Sequence, residues 1–306
     1  MTIQKGRGRG KLRFLFSPHA TKEHFKSVNL AKRLPESKHV WLEHFSKPED
    51  ETRKRFRNVV ELIKSGKAAV KPEALAGSDD IFRLLILKKL EGRKNLRVGL
   101  EKPSKGRSID SILEAESTSL NFFFNNRFNE NMTFLDHEVK LFASEQAKRE
   151  KGLIKQLKRV QRKKEGDTDV ILGVLHTRVH HELKKKGVPT EYAIPKGGVL
   201  FSPHNEAVRR LLFNRPASEK RGKWLLAAAV PWQALTSYLK RNGFSEQEAH
   251  SEASKILKRV DFEDFKNLSK DVSSEMGGRQ LTIIGAGEMT FSWLKKKGFV
   301  KPEEVV

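Results

Sequence analysis

The chain has 306 residues, enough for one large domain or one domain with an appendage, and its 37% hydrophobic content with 19 Phe argues against wholesale disorder. Zero Cys excludes disulfides, thiolate nucleophiles and Cys-based zinc sites, so any metal would be held by His, Asp and Glu. The net charge of +23 favours polyanion contact, but Lys and Arg are spread over the whole chain, as they also are on a basic surface serving only solubility.

Residues 1–11, including Gln4-Lys5-Gly6-Arg7-Gly8-Arg9-Gly10-Lys11, read as a flexible basic tail without a signal-peptide pattern. No apolar run approaches the ~18 residues that span a bilayer. A cytoplasmic protein is therefore expected. Residues 12–18 form a first strand, ending in Ser17-Pro18-His19. Phe25, Val28, Leu30, Ala31 and Leu34 then recur at helical spacing, and Pro35 closes that helix. His39-Val40-Trp41-Leu42-Glu43 is a second strand that ends in a carboxylate, so 12–43 is a βαβ unit with parallel, buried strands.

Residues 51–92 are helix-rich. Leu96 to Glu101 is a third strand, which again ends in Glu. Residues 109–164 are expected to be helical throughout, with a basic stretch from Ala147 to Lys164. Asp169 to Leu175 is a fourth strand that delivers His176. Val179 and Leu183 face inward in the next helix, which Gly187 stops, and Thr190 to Ile194 is an edge strand. Beyond Pro195 come helices at 206–213, 223–242 and 246–257, and Leu281 to Gly287 is a last strand. The expected fold is α/β: a mostly parallel sheet flanked by helices on both faces, with a helical C-terminal segment. The expected organisation is a tail at 1–11, an α/β core at 12–194, and a lid or second lobe at 195–306.

Four strand ends thus present His19, Glu43, Glu101 and His176. Parallel strands bring such ends to one sheet edge, where α/β proteins bind ligands. Glu23, four residues after His19, lies one helical turn on and is placed to orient the imidazole, or merely to complement the helix dipole. Arg149 stands where the helix before the fourth strand is expected to begin, near the same edge. His176 and His180 have the i, i+4 spacing of a helical metal pair, but no Glu follows His176, and His180 and His181 read as surface residues.

At these residues the chain resembles the TraB/Tiki/erythromycin-esterase-like superfamily. The resemblance rests on His19, on Glu43 about two dozen residues later, on Arg149-Glu150, and on Gly173-Val174-Leu175-His176; it covers about residues 12–194. The pair His19 and Glu23 is similar to the esterase branch. Ser17-Pro18 replaces the usual Gly-containing approach to the first His, and Glu150 stands where that branch has Asp. The resemblance implies a hydrolase of an ester, lactone or amide, acting on a small molecule or a peptide. In its metal-free form His19 activates water, Glu23 or Glu43 orients it, and His176 or Arg149 stabilises the oxyanion. In its metal form His19, His176, Glu43 and Glu101 supply ligands for zinc, manganese or cobalt. The alternative class is a non-catalytic protein that binds nucleic acid or other anions through its basic surface, and a metal-dependent nuclease would join both.

Overall fold

The computed structural model describes residues 10–17, 38–43, 58, 61, 97–101, 109–163, 166–193, 201–277 and 282–301. The expected helices at 21–33 and 51–92 lie outside these residues, apart from helical Asn58 and Glu61. Strands β1 (Leu12–Ser17), β2 (His39–Leu42), β3 (Arg97–Leu100), β4 (Thr168–Gly173) and β5 (Thr190–Ala193) form one sheet. Helices α1 (Ile109–Phe124) and α2 (Phe128–Lys163) precede β4. A 3-10 turn (Val174–His176) and α3 (Thr177–Lys185) follow it. The C-terminal helices are α4 (Pro203–Leu212), α5 (Glu219–Arg241), α6 (Glu246–Leu257), α7 (Phe262–Met276) and α8 (Ile283–Lys296). The fold is α/β with a helical C-terminal segment, and none of the described helices is long and apolar enough to cross a membrane.

The chain divides into two compact units, residues 1–105 with 148–199 and residues 106–147 with 200–306. In the first unit all five strands are parallel, in the order β3-β2-β4-β1-β5. The inner strands are continuous apolar runs because both faces are covered: every residue of β2 and β4 is buried. The two charges in these runs, Arg13 and Asp169, are register partners on β1 and β4 and pair at 2.6 Å. β5 is an edge strand, as expected. Residues 148–163 of α2 lead back to β4 over roughly 24 Å at 1.5 Å per residue. α3 ends as Gly187 takes φ +69°, which lets Gly187 N–H bond Lys184 O and Val188 N–H bond Leu183 O.

In the second unit α5 is the central helix, buried at positions all round from Leu225 to Leu239 and packed against α4, α6, α7 and α8. Phe123, Phe124, Phe128 and Phe265 join the same core. Each C-terminal helix is capped by its own sequence: Ser202, Ser218, Ser245, Asp261 and Thr282 accept a backbone N–H three residues on. Two expectations change here. Leu281 to Gly287 does not make a last strand. Thr282 caps α8, and Ala286 and Gly287 are buried, Gly287 where α8 meets α5. A Cβ on Gly287 would stand 2.2 Å from the Ala234 carbonyl oxygen. And the break within 109–164 falls at Asn126, whose φ of +55° separates α1 from α2, rather than just ahead of Arg149.

Candidate functional site

The carboxyl ends of β2, β3 and β4 meet at one edge of the sheet, and the chain order there is informative. From β2 the chain passes outward to β3, and from β4 it passes the opposite way to β5. The crevice between the ends of β2 and β4 is therefore the topological switch point, where open α/β sheets bind ligands. Glu43 and Gly173 flank that crevice. Glu43 N–H still bonds Ile171 O of β4, and Glu101 N–H bonds Leu42 O, so both acids are held at the last rung of the ladder.

Gly173 and His176 are joined by one 3-10 turn, in which residues three apart lie on the same side. The Gly-x-x-His spacing thereby aims a backbone N–H and an imidazole at the same carboxylate. Gly173 N–H donates to Glu43 Oε2 at 2.5 Å, and His176 Nε2 lies 2.8 Å from Glu43 Oε1. Arg149 arrives from α2. Its Nε and Nη2 donate to Glu101 Oε1 and Oε2 at 2.9 and 2.7 Å, and Nη2 also donates to Glu43 Oε1 at 2.8 Å. Glu150, the next residue, faces His176 Nδ1 from 3.6 Å and holds Arg178 Nη1 at 3.3 Å.

Among the described residues three carboxylates thus face two guanidiniums and His176. Burial pushes the His176 pKa down, but the Glu43 charge and the adjoining Glu150 and Glu43 carboxylates prevail and hold it at about 9. Burial likewise opposes the Arg149 charge, and Glu43 and Glu101 more than restore it. Near neutral pH His176 is an imidazolium with both nitrogens turned toward carboxylates. In that state it is unsuited to act as a base. The side chains of Glu43, Glu101 and His176 are each 2% exposed, whereas Arg149 is 13% exposed, so Arg149 is the member of this set that reaches the surface.

Of the residues expected at the site, Glu43, Glu101, Arg149 and His176 are brought together; His19 and Glu23 lie outside the described residues. Arg149 is not at the start of its helix but well inside α2, where the helix passes the sheet edge. Of the residues expected as metal ligands, His19 lies outside the described residues, and Glu43 and Glu101 share Arg149. The Arg149 guanidinium bridges Glu43 and Glu101 where a cation would sit, and no group of three or more His, Asp or Glu among the described residues is arranged for a metal. His180 does not join His176 as a chelating pair, because its ring packs between Phe14 and Tyr192 at 5.5 and 4.9 Å. His181 is exposed. Arg178 was not foreseen; its only sequence signal is its place two residues after His176, facing back toward α2. No protein-family model, no curated protein and no solved structure matches the chain.

Proposed function

We propose that the first unit is a metal-independent hydrolase of an ester, lactone or amide bond, working at the crevice between β2 and β4. The observation that carries this is the buried network of Glu43, Glu101, Arg149, Glu150 and His176 at the switch point. Burying such charges costs several kcal/mol per ion and is seldom the best way to stabilise a fold. Charge clusters of this kind concentrate at functional sites. The resemblance to the TraB/Tiki/erythromycin-esterase-like superfamily, which rests largely on the same residues, points to the same reading.

Roles follow from chemistry. His176 is protonated and sealed, so it positions Glu43, and through Glu43 it positions Arg149. The general base is His19, which follows β1 in sequence; Ser17, at the end of β1, is the register partner of Gly173. Glu23 or Glu43 orients His19. His19 takes a proton from water, and the resulting hydroxide adds to the substrate carbonyl. The oxyanion is stabilised by Arg149. Collapse breaks the bond to the alcohol or amine, which leaves with the proton from the His19 imidazolium, giving a carboxylic acid and the neutral leaving group.

The test is a panel of nitrophenyl esters, γ- and δ-lactones and anilides, assayed with the full chain before and after exhaustive chelation. Hydrolysis of an ester, a lactone or an anilide that survives chelation supports the reading. Inactivity on the whole panel, or activity abolished by chelation and restored by zinc or manganese, overturns it.

A further inference from the structure

The stretch of α2 that carries Arg149 and Glu150 inward presents a different chemistry outward. Lys148, Lys151, Lys155, Arg159 and Arg162 are all exposed, and their spacings of three, four, four and three residues keep them on one face. At 3.6 residues per turn they fall within an arc of about 80°, nearly opposite the face formed by Glu150, Leu153, Leu157 and Gln161. They form a straight basic stripe roughly 21 Å long at 1.5 Å per residue. No acid interrupts it, and none of the five makes an ion pair with a described residue. On a solvated helix that serves only solubility, acids interleave at i, i+4, as Asp136 does with Lys140 earlier in this helix.

We propose that this stripe docks the phosphodiester backbone of duplex nucleic acid, without sequence preference. The charge sign, the straight run and the chain's overall +23 match a polymer that carries one negative charge per about 1.7 Å. A single strand is a poorer fit, because sequence-tolerant single-strand binding needs aromatic platforms and the stripe carries none. An anionic membrane is a poorer fit too. Interfacial helices bury large apolar side chains beside the charges, and among the described residues the exposed large hydrophobic is Tyr192, on β5. Lys and Arg contacts to phosphate position a duplex without reading it. The stripe faces away from the Glu43–Arg149 network, so this binding is separate from the hydrolytic chemistry.

The experiment is fluorescence anisotropy of the full chain with labelled 25-base-pair duplexes of two unrelated sequences across a salt series. Each phosphate contact adds about −0.9 to the slope of log affinity against log salt, so five give about −4.5. The variant K151Q/K155Q/R159Q should flatten that slope by about 2.7 and weaken binding at least tenfold at 0.1 M salt. The charge-matched control K240Q/K295Q/K296Q, exposed on α5 and α8, should leave the slope within about half a unit. The H19A variant should bind the duplex as the parent does. The proposal is overturned if the two triple variants behave alike, if one duplex sequence is preferred more than tenfold, or if phosphatidylserine vesicles of equal charge displace the duplex more readily than unlabelled duplex does.

Discussion

Arg149 and Glu101, 48 residues apart, meet through two parallel hydrogen bonds, Nε to Oε1 at 2.9 Å and Nη2 to Oε2 at 2.7 Å. This is the fork geometry that only a guanidinium offers a carboxylate. It fixes the plane of the Arg149 head group, and the Nη2 bond to Glu43 then ties β2, β3 and α2 into one unit.

Arg149→Met leaves Glu43 and Glu101 buried without their shared counterion. Loss of about 3–5 kcal/mol in urea unfolding is expected. The double variant Arg149→Met with Glu101→Gln recovers part of that loss, because one of the stranded charges is gone. Additive destabilisation would contradict the pairing.

His176 carries a pH signature whose sign is fixed. Its folded pKa of about 9 lies above the ordinary value of 6.5, so protonation stabilises the folded chain. That stabilisation is complete below about pH 6.5 and is lost as pH rises through 9; it is roughly 3 kcal/mol for a group this buried. Ring-nitrogen NMR should show His176 doubly protonated at pH 7.5, and His176→Gln should remove most of the decline in stability between pH 7 and 10. A ring that is neutral at pH 7.5 would contradict the raised pKa.

The contact between α5 and α8 is tested by two glycines. Gly287→Ala forces a methyl onto the Ala234 carbonyl and the Tyr238 Cβ, and a cost of about 1–3 kcal/mol is expected. Gly222→Ala, also helical but with nothing within 4 Å of its new Cβ, should stabilise by about 0.5–1 kcal/mol. Thermal melts of the two variants that shift the same way would disprove the close approach.

How far the site was legible depended on which kind of order each residue obeys. Glu43 and Glu101 directly follow apolar runs, and the buried parallel strands produced those runs by being covered on both faces. Sequence alone thus placed both acids at one sheet edge. Their partnership through Arg149 was not readable in the same way, because strand order is a tertiary fact: only the order β3-β2-β4 makes the ends of β2 and β4 a switch point. Arg149 sits inside a long helix rather than at the helix start where the sequence reading put it, so its expected place near the sheet edge and the resemblance pointed to the right residue without its true setting. The seven-residue run Leu281 to Gly287 is too short for periodicity to separate strand from helix. The signal that decides it is the Thr282 cap. Arg178 was hidden because its approach to Glu150 joins two helices 28 residues apart in sequence, which no local pattern records.

The most direct measurement is kcat/KM for ester or lactone hydrolysis by the parent chain, His19→Ala and Arg149→Lys, each checked by circular dichroism for an unchanged fold. Removal of the general base should lower kcat/KM by about 10²–10⁴. The lysine variant keeps the charge but loses the fork to Glu101, and kcat should fall by about tenfold or more with KM little changed. Folded His19→Ala protein that hydrolyses the substrate as fast as the parent would contradict the assignment of this crevice as a hydrolytic site.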